Sequence, residues 1–198
     1  LIDAGCELDG YASDITRTFP VSGKFTAVQK DIYQLVLAAQ QAAIGKAQPG
    51  NVWDDLHQAA LHVLAQGFID LGLCQGSADA VLESEDYKRF YMHKTGHWLG
   101  MDVHDAGEYK QNGAWRTLQP GMTLTVEPGC YFIPELIDQW RAEKKFTDFI
   151  NYEKVESYKD FGGVRIEDDV LITERGASIL GKPLPKVLED VENVRAGI

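Results

Sequence analysis

The pattern of apolar and polar residues at the start of the chain predicts two strands around the dipeptide Asp9-Gly10. This dipeptide favours a type I′ turn between two antiparallel strands. If it forms the centre of the turn, Asp3 lies opposite Thr16 across a two-stranded ribbon. Asp14 then lies one diagonal step from Asp3, on the same face and within roughly 7–8 Å of it. The pattern therefore predicts a hairpin that carries two aspartates on one side.

The period changes to that of a helix after the hairpin. From Phe25 to Gln48, apolar residues recur at spacings of three and four, and Thr26 with Gln29 forms a capping-box pair at the start. Asn51 is expected to cap a second helix, whose apolar stripe fades by Gly72. Both helices are interpreted as scaffold.

Short strands separated by turns dominate after Tyr91. The clearest strands are predicted at Leu118–Val126 and Val164–Thr173, and the charged, aromatic segment Ile133–Phe161 is expected to contain short helices. A hairpin followed by helices and then by several strands indicates an α+β domain rather than a parallel βαβ sheet. At 198 residues with 44% hydrophobic residues, the chain can bury one core, so a single domain over 1–198 is expected.

The charge balance and the cysteines limit the partners and the compartment. Thirty acidic against 19 basic residues give a net charge of −11, which argues against nucleic acid and anionic membranes as partners. No apolar run approaches the roughly 20 residues of a membrane helix. Cys6, Cys74 and Cys130 form neither a metal knuckle nor an even-numbered disulfide framework. We therefore expect free thiols in a reducing, cytoplasmic compartment.

Ionisable residues in strand positions are the first chemical signal. Asp3 lies in an otherwise apolar strand, Glu127 ends an apolar run, and Glu167 alternates with apolar residues on the strand face that carries Arg165. Carboxylates are rarely buried unless they are paired or bound to metal. Each alone fits a solvated strand residue. Together with the glycine-containing segment His93–His97, they describe a mostly oxygen ligand set that suits Mn²⁺ or a similar ion better than structural zinc.

The remaining histidines give weaker signals. The segment His93–His97 lacks the glutamate of a zinc-binding His-Glu-x-x-His helix and contains a glycine, so that motif is rejected. His57 and His62 lie on the second predicted helix and are interpreted as solvated or core-edge side chains. The sequence is equally consistent with Trp98 as a core residue and as a residue of the site.

Four ordered stretches between Asp3 and Thr173 carry a specific resemblance: DAGCELDGYASDITRTFP, HKTGHWLGMDVHD, LQPGMTLTVEPGCYF and GGVRIEDDVLIT. They resemble the pita-bread metallopeptidases, and within them the family of aminopeptidase P and prolidase. The resemblance implies an α+β pita-bread catalytic domain that holds two divalent metal ions. Mn²⁺ is the expected ion, with Co²⁺ and Zn²⁺ as alternatives. The metal ligands implied by the resemblance are Asp3, Asp14, His97, Glu127 and Glu167.

The same resemblance implies further roles in the active site. Glu127 matches the general base beside the bridging water, and His93 and His104 match proton donors or stabilisers of the tetrahedral intermediate. Tyr131 and Arg165 match residues that surround the ligands, and Arg165 is expected to orient a ligand carboxylate by a bidentate contact. The implied reaction is that of an Xaa-Pro aminopeptidase, in which hydroxide held by two ions attacks the bond before a proline at the second position of a peptide.

Two alternative functions stay open. The long segment Ile133–Phe161 is similar to that of the Xaa-Pro dipeptidases, or prolidases. Gly113, however, stands where prolidases carry an arginine that reads the dipeptide carboxylate, so an aminopeptidase is preferred. The second alternative, a pita-bread binding protein without catalysis, is disfavoured because the five matched ligands are intact.

The resemblance also implies that the chain is the C-terminal, metal-binding part of a catalytic domain. In the family, this domain begins well before the first metal aspartate and follows a smaller N-terminal domain. The isolated chain is therefore expected to be poorly active, and the full-length protein is expected to form a homo-oligomer, either a dimer or a tetramer.

Overall fold

The chain opens with an antiparallel ribbon. The computed structural model describes residues 1–197. The ribbon consists of four short strands: β1 (Ile2–Ala4), β2 (Glu7–Leu8), β3 (Tyr11–Ala12) and β4 (Ile15–Arg17). Asp9 and Gly10 have φ values of 53° and 84°, as a type I′ turn requires. Asp3 pairs with Thr16, so the predicted turn and register are confirmed.

Gly5 allows the two halves of the ribbon to approach closely. A Cβ atom at this position would lie 1.7 Å from the carbonyl oxygen of Ser13. The Ser13 N–H in turn donates to the Cys6 carbonyl at 2.9 Å. The ribbon therefore keeps one register from β1 to β4, and this register brings Asp14 to the face that carries Asp3.

The two long helices are α1 (Ala27–Lys46) and α2 (Trp53–Asp70). The predicted capping box at Thr26 and Gln29 is confirmed, because each side chain accepts a backbone N–H of the other residue. The helices cross closely at Gly67, where a Cβ atom would lie 2.2 Å from Leu35 Cδ1. Their facing sides form much of the core, around fully buried side chains such as Phe68.

The start of α2 differs from the prediction. The N-cap residue is Val52 rather than Asn51, and the Asp55 carboxylate accepts the Val52 N–H at 2.8 Å. The Asn51 side chain instead donates to the carbonyl of Lys46 at 2.9 Å. It therefore satisfies a carbonyl that the end of α1 leaves without a helical partner.

The second half contains the remaining elements in chain order: α3 (Ala78–Glu83), a 3₁₀ turn (Asp86–Arg89), β5 (Lys110–Gln111), β6 (Ala114–Trp115), β7 (Thr123–Val126), β8 (Gly129–Tyr131), α4 (Pro134–Ala142), α5 (Tyr152–Glu156), β9 (Gly163–Arg165), β10 (Asp168–Thr173), β11 (Gly176–Ile179) and α6 (Leu188–Ala196). β10 pairs with both β7 and β11, and β8 pairs with β9, with Tyr131 opposite Gly163. The helices α4 and α5 confirm that the segment Ile133–Phe161 contains short helices.

Two predicted strands are shorter than expected. The strand predicted from Leu118 begins only at Thr123, because a turn at Gly121, with φ of 93°, precedes it. The strand predicted over Val164–Thr173 is interrupted at Glu167, whose N–H donates to the carbonyl of Thr16 in the ribbon at 3.1 Å. The mixture of helices and antiparallel strands confirms the α+β class. Within residues 1–197, none of the helices combines the length and apolarity needed to cross a bilayer.

Candidate active site

A cavity of about 740 Å³ lies between the ribbon, α2, the loop 93–97 and the hairpin β5–β6. The five residues matched to metal ligands all line it, although they come from four separate parts of the chain. Their ligand atoms form overlapping groups in which every atom lies within 4.8 Å of the others: Asp3 with Asp14 and Glu167, His97 with Glu127 and Glu167, and Asp14 with His97 and His104.

The ribbon positions the two aspartates. The backbone N–H of Asp14 donates to both carboxylate oxygens of Asp169, at 3.1 and 3.3 Å. Burial and the nearby Asp3 carboxylate raise the pKa of Asp14 above its ordinary value. The carboxylates of Asp3 and Asp14 therefore face each other at a distance where their negative charges repel.

Two glutamates complete the acidic part of the site. Glu167 is buried, and its Oε2 accepts the Thr16 hydroxyl at 2.6 Å. Its Oε1 is buried and has no hydrogen-bond partner among residues 1–197. Burial and the neighbouring Glu127 raise the pKa of Glu167 to about 9. Burial also raises the pKa of Glu127 to about 7, against an opposing effect of Arg165.

His97 is held so that one ring nitrogen faces the carboxylates. Its Nδ1 lies 2.9 Å from the carbonyl of Trp98, which can only accept, so Nδ1 carries the hydrogen. Nε2 then presents its lone pair, 3.4 Å from Asp14 Oδ2 and 3.6 Å from Glu127 Oε1. This is the tautomer that a metal ligand needs. The preceding Gly96 is required, because a Cβ atom there would lie 2.0 Å from the Thr125 carbonyl oxygen.

Arg165 connects several of the site residues. Its Nη2 donates to Asp3 Oδ2 at 2.5 Å, its Nε to Thr16 Oγ1 at 3.1 Å and its Nη1 to the Tyr131 hydroxyl at 3.3 Å. Arg165 therefore makes a single hydrogen bond to the Asp3 carboxylate, and the predicted bidentate contact is wrong. Because Thr16 donates to Glu167, Arg165 fixes one acidic residue directly and another through Thr16.

His93 continues the same chain of hydrogen bonds. Its Nδ1 donates to the Lys94 carbonyl at 2.8 Å, so its Nε2 accepts the Tyr131 hydroxyl, also at 2.8 Å. Burial lowers the pKa of His93, which favours the neutral ring. His93 Nδ1 lies 3.9 Å from Glu127 Oε2. Arg165 and Tyr131 thereby orient a neutral imidazole beside Glu127.

The remaining two residues that the sequence singled out are His104, which lines the cavity, and Trp98, which does not. His104 is exposed and stacks on His97, with ring centroids 3.9 Å apart. Trp98 is buried in the core and packs against Trp53, with ring centroids 4.3 Å apart.

A buried ion-pair cluster supports the backbone of Glu167. Asp168 accepts from Arg17 and from Lys186, each at 2.6 Å. Burial alone would raise the pKa of Asp168, but the hydrogen bonds from these two cations outweigh it and lower the pKa. Arg17 Nη1 also donates to the carbonyl oxygen of Glu167 at 2.6 Å. The cluster therefore fixes the main chain at the point where Glu167 turns toward the cavity.

Of the two alternatives for His57, the solvated one is wrong, and the structure places the residue at the edge of the core. His57 is buried and lines the cavity, whereas His62 on the same helix is exposed, as predicted. A signal for this difference was available in the sequence. His57 lies one helical turn from both Trp53 and Leu61, which are buried, so it belongs to the inward face of α2.

The residues of the cavity fit divalent cations. Four carboxylates and one imidazole converge on one space, and the oxygen-rich set suits hard or borderline divalent ions. Burial, and after it the neighbouring carboxylates, raises the pKa values of Glu127 and Glu167, and a bound cation would offset both effects. The buried, unpartnered Oε1 of Glu167 is an acceptor that a cation would satisfy.

Known proteins are similar to this chain in sequence and in fold. The model of metallopeptidase family M24 matches residues 1–174. The chain is 45% identical over 194 residues to the Xaa-Pro aminopeptidase of Haemophilus influenzae, covering 98% of this chain and 41% of that protein. It is 40% identical over 209 residues to the human Xaa-Pro dipeptidase, covering 100% of this chain and 42% of that protein.

Solved structures of aminopeptidases have the same fold as this chain. The structure of the aminopeptidase PepP of Pseudomonas aeruginosa superposes with a TM-score of 0.85 at 46% sequence identity, over 98% of this chain and 40% of that chain. Escherichia coli aminopeptidase P in its zinc-substituted complex with product superposes with a TM-score of 0.83 at 38% identity, over 98% of this chain and 40% of that chain. The chain thus spans about two fifths of the length of these relatives, 40% to 42%.

Proposed function

The chain belongs to metallopeptidase family M24, and on this basis we propose that the protein hydrolyses the bond between an N-terminal residue and a following proline. The pita-bread fold is confirmed by the likeness to aminopeptidase P structures. One observation carries the proposal: the convergence of Asp3, Asp14, His97, Glu127 and Glu167 on one cavity, with ligand atoms in groups spanning no more than 4.8 Å.

We propose that these five residues hold two divalent ions, with Mn²⁺ as the expected metal and Co²⁺ or Zn²⁺ as alternatives. Asp14, His97 and Glu167 each belong to two of the ligand groups, so they would be the residues that connect the parts of the site holding the ions. When bound, the ions would supply Lewis acidity at the scissile carbonyl and would lower the pKa of water. Family membership supports the requirement for divalent metal, and the oxygen-rich donor set supports this choice of ions.

Glu127 is proposed as the general base, which takes the proton of the attacking water at its carboxylate. Burial raises the pKa of Glu127 to about 7 in the metal-free protein, and bound cations would lower it, so the carboxylate would be ionised and able to accept this proton. His93 is proposed to stabilise the tetrahedral intermediate, for which its Nδ1–H would turn from the Lys94 carbonyl toward the oxygen that becomes negative. His104, which is exposed and stacks on the ring of His97, is proposed as a proton donor.

Tyr131 and Arg165 are proposed to orient these groups rather than to react. Arg165 donates to both Asp3 and Tyr131, and Tyr131 donates to His93. Removing either residue would loosen two site residues at once. We therefore expect a loss of turnover in such variants with little change in the fold.

We propose an aminopeptidase rather than a dipeptidase. Gly113 lies with Asn112 at the tip of the hairpin β5–β6, and both residues have positive φ, 82° and 52°. A positive φ of this size favours glycine at position 113. Because glycine has no side chain, this position offers no cation for the carboxylate of a dipeptide. The dipeptidase alternative rests on the long segment between β8 and β9 and on the similarity to the human Xaa-Pro dipeptidase.

The test compares Xaa-Pro-Yaa tripeptides with Xaa-Pro dipeptides, using the full-length protein loaded with Mn²⁺. We expect the tripeptides to be cleaved at least as well as the dipeptides, and Glu127→Gln to abolish both reactions. A strong preference for dipeptides would identify a dipeptidase. Bound metal without cleavage of either substrate would favour a binding protein.

A further inference from the structure

His57 is a buried side chain of the cavity wall to which none of the proposed roles applies. It lies on the inward face of α2 and lines the same cavity as the five candidate ligands. Its Nδ1 lies 2.8 Å from the hydroxyl oxygen of Thr95. That hydroxyl also lies 2.7 Å from the hydroxyl of Tyr91. The three side chains form a short relay between the core and the cavity.

The direction of the hydrogen bonds in this relay follows from the burial of Tyr91. Tyr91 has no exposed surface, and within residues 1–197 its hydroxyl has Thr95 as its one hydrogen-bond partner. If the tyrosine accepted, its own hydrogen would be buried without an acceptor, which is costly. Tyr91 therefore donates to Thr95. The Thr95 hydroxyl is itself buried, and among residues 1–197 its one remaining partner is His57 Nδ1, so it donates its single hydrogen there. The neutral His57 ring must then carry its hydrogen on Nε2.

The Nε2–H group of His57 is available to a ligand. In the part of the chain that the structure describes, only Nδ1 of this ring has a hydrogen-bond partner, and Nε2 is not among the fully buried polar atoms that lack one. The atom therefore keeps accessible surface on a residue that lines the cavity. Burial, with a smaller effect of Lys94, lowers the pKa of His57 to about 4, so the ring is a neutral donor at neutral pH.

We infer that His57 is a substrate-binding residue, which donates its Nε2–H to an acceptor oxygen of the bound peptide. This inference rests on the proposed peptidase function and deepens it. A peptide offers two acceptors of this chemistry, a backbone carbonyl and the C-terminal carboxylate. The N-terminal ammonium is excluded as the partner, because both it and Nε2–H are donors. The relay fixes the donor before substrate arrives, so little ordering is needed on binding.

Steady-state kinetics of the full-length, metal-loaded protein test the inference with three variants. His57→Phe removes the donor and keeps an aromatic ring, His57→Gln keeps an N–H donor, and His62→Phe is a matched control on the exposed face of α2. We expect His57→Phe to raise KM about 3- to 10-fold, the factor for one neutral hydrogen bond, with kcat and metal content almost unchanged. His57→Gln should restore most of the loss, and His62→Phe should behave as wild type.

Two kinetic outcomes would overturn the inference. One is an unchanged KM in His57→Phe, and the other is equal impairment of the Phe and Gln variants together with loss of metal, which indicates a purely structural role. The two acceptors are separated by comparing an Xaa-Pro dipeptide with its C-terminal amide. A greater effect of His57→Phe on the free acid identifies the carboxylate, and an equal effect identifies a carbonyl.

A measurement without turnover separates this inference from the proposed function. The ¹⁵N NMR signals of the imidazole report which nitrogen carries the hydrogen, and we expect the Nε2–H form of His57. Adding a proline-containing dipeptide should shift the Nε2 signal in the wild type. A hydrogen on Nδ1, or an unmoved Nε2 signal while other residues of the cavity shift, would refute the role of His57. A protein that binds the dipeptide through His57 without cleaving it would refute only the peptidase proposal.

Discussion

Replacing Glu167 by glutamine should reduce the pH dependence of stability in the metal-free protein. The pKa of this buried carboxyl rises from an ordinary 4.5 to about 9. Between these values, native Glu167 keeps a proton that the unfolded chain releases, so the free energy of unfolding falls as the pH rises. One pKa unit corresponds to about 1.36 kcal/mol. Raising the pH from 5 to 8 should therefore cost the wild type up to about 4 kcal/mol through this group alone.

Urea denaturation followed by circular dichroism, after treatment with EDTA, measures this loss. Glu167→Gln cannot titrate, so its free energy of unfolding should fall much less between pH 5 and pH 8. A smaller slope should remain, because the pKa of Glu127 is also raised, to about 7. Glu83→Gln, at an exposed position in α3, should behave as wild type. If Glu167→Gln loses as much stability as wild type over this range, the carboxyl is not the buried, protonated group described above.

Further predictions concern the same region. Asp14→Ala should lower both the metal content, measured by mass spectrometry, and the activity; two metals per chain in this variant would contradict its role. Metal binding near pH 7 should release protons, mainly from Glu167, and calorimetry in buffers of different ionisation enthalpy should show it. Asp168→Ala should cost about 3–5 kcal/mol in urea denaturation, because it leaves two partly buried cations unpaired, and Asp168→Asn should cost less. Gly5→Ala should separate the strands of the ribbon and weaken metal binding about 10-fold or more in equilibrium titrations, and unchanged affinity would contradict the close approach.

Local chemistry was sufficient to predict the ribbon but not the break near Glu167. The Asp9-Gly10 turn fixes the register within a few residues, so Asp3 and Asp14 could be placed on one face from the sequence. The strand that contains Glu167 looks continuous in sequence. It is interrupted because its N–H bonds to Thr16, about 150 residues earlier in the chain, and periodicity carries no information about such a contact.

The residues of the site could likewise be predicted only in part from their local sequence. Strand position singled out three carboxylates, but the grouping of five ligands came from the resemblance to a family. The spacing of α2 places His57 on its inward stripe, but a buried histidine in a helix gives no sign of what it faces. Only the fold shows that its neighbours are Thr95 and a cavity.

The pairing of Tyr131 with Gly163 brings the two ends of the segment between β8 and β9 together at one point of the sheet. The chain leaves the sheet at one of these residues and returns at the other, directly across the strand pair. The entropic cost of closing such an excursion rises by only about 0.6 kcal/mol when its length doubles. Changes of length in its exposed parts therefore cost little, whereas its buried residues Ile137, Ile150 and Val155 belong to the core and hold the segment in place. Residues 133–161 do not line the cavity, so such changes alter the protein surface rather than the candidate metal site.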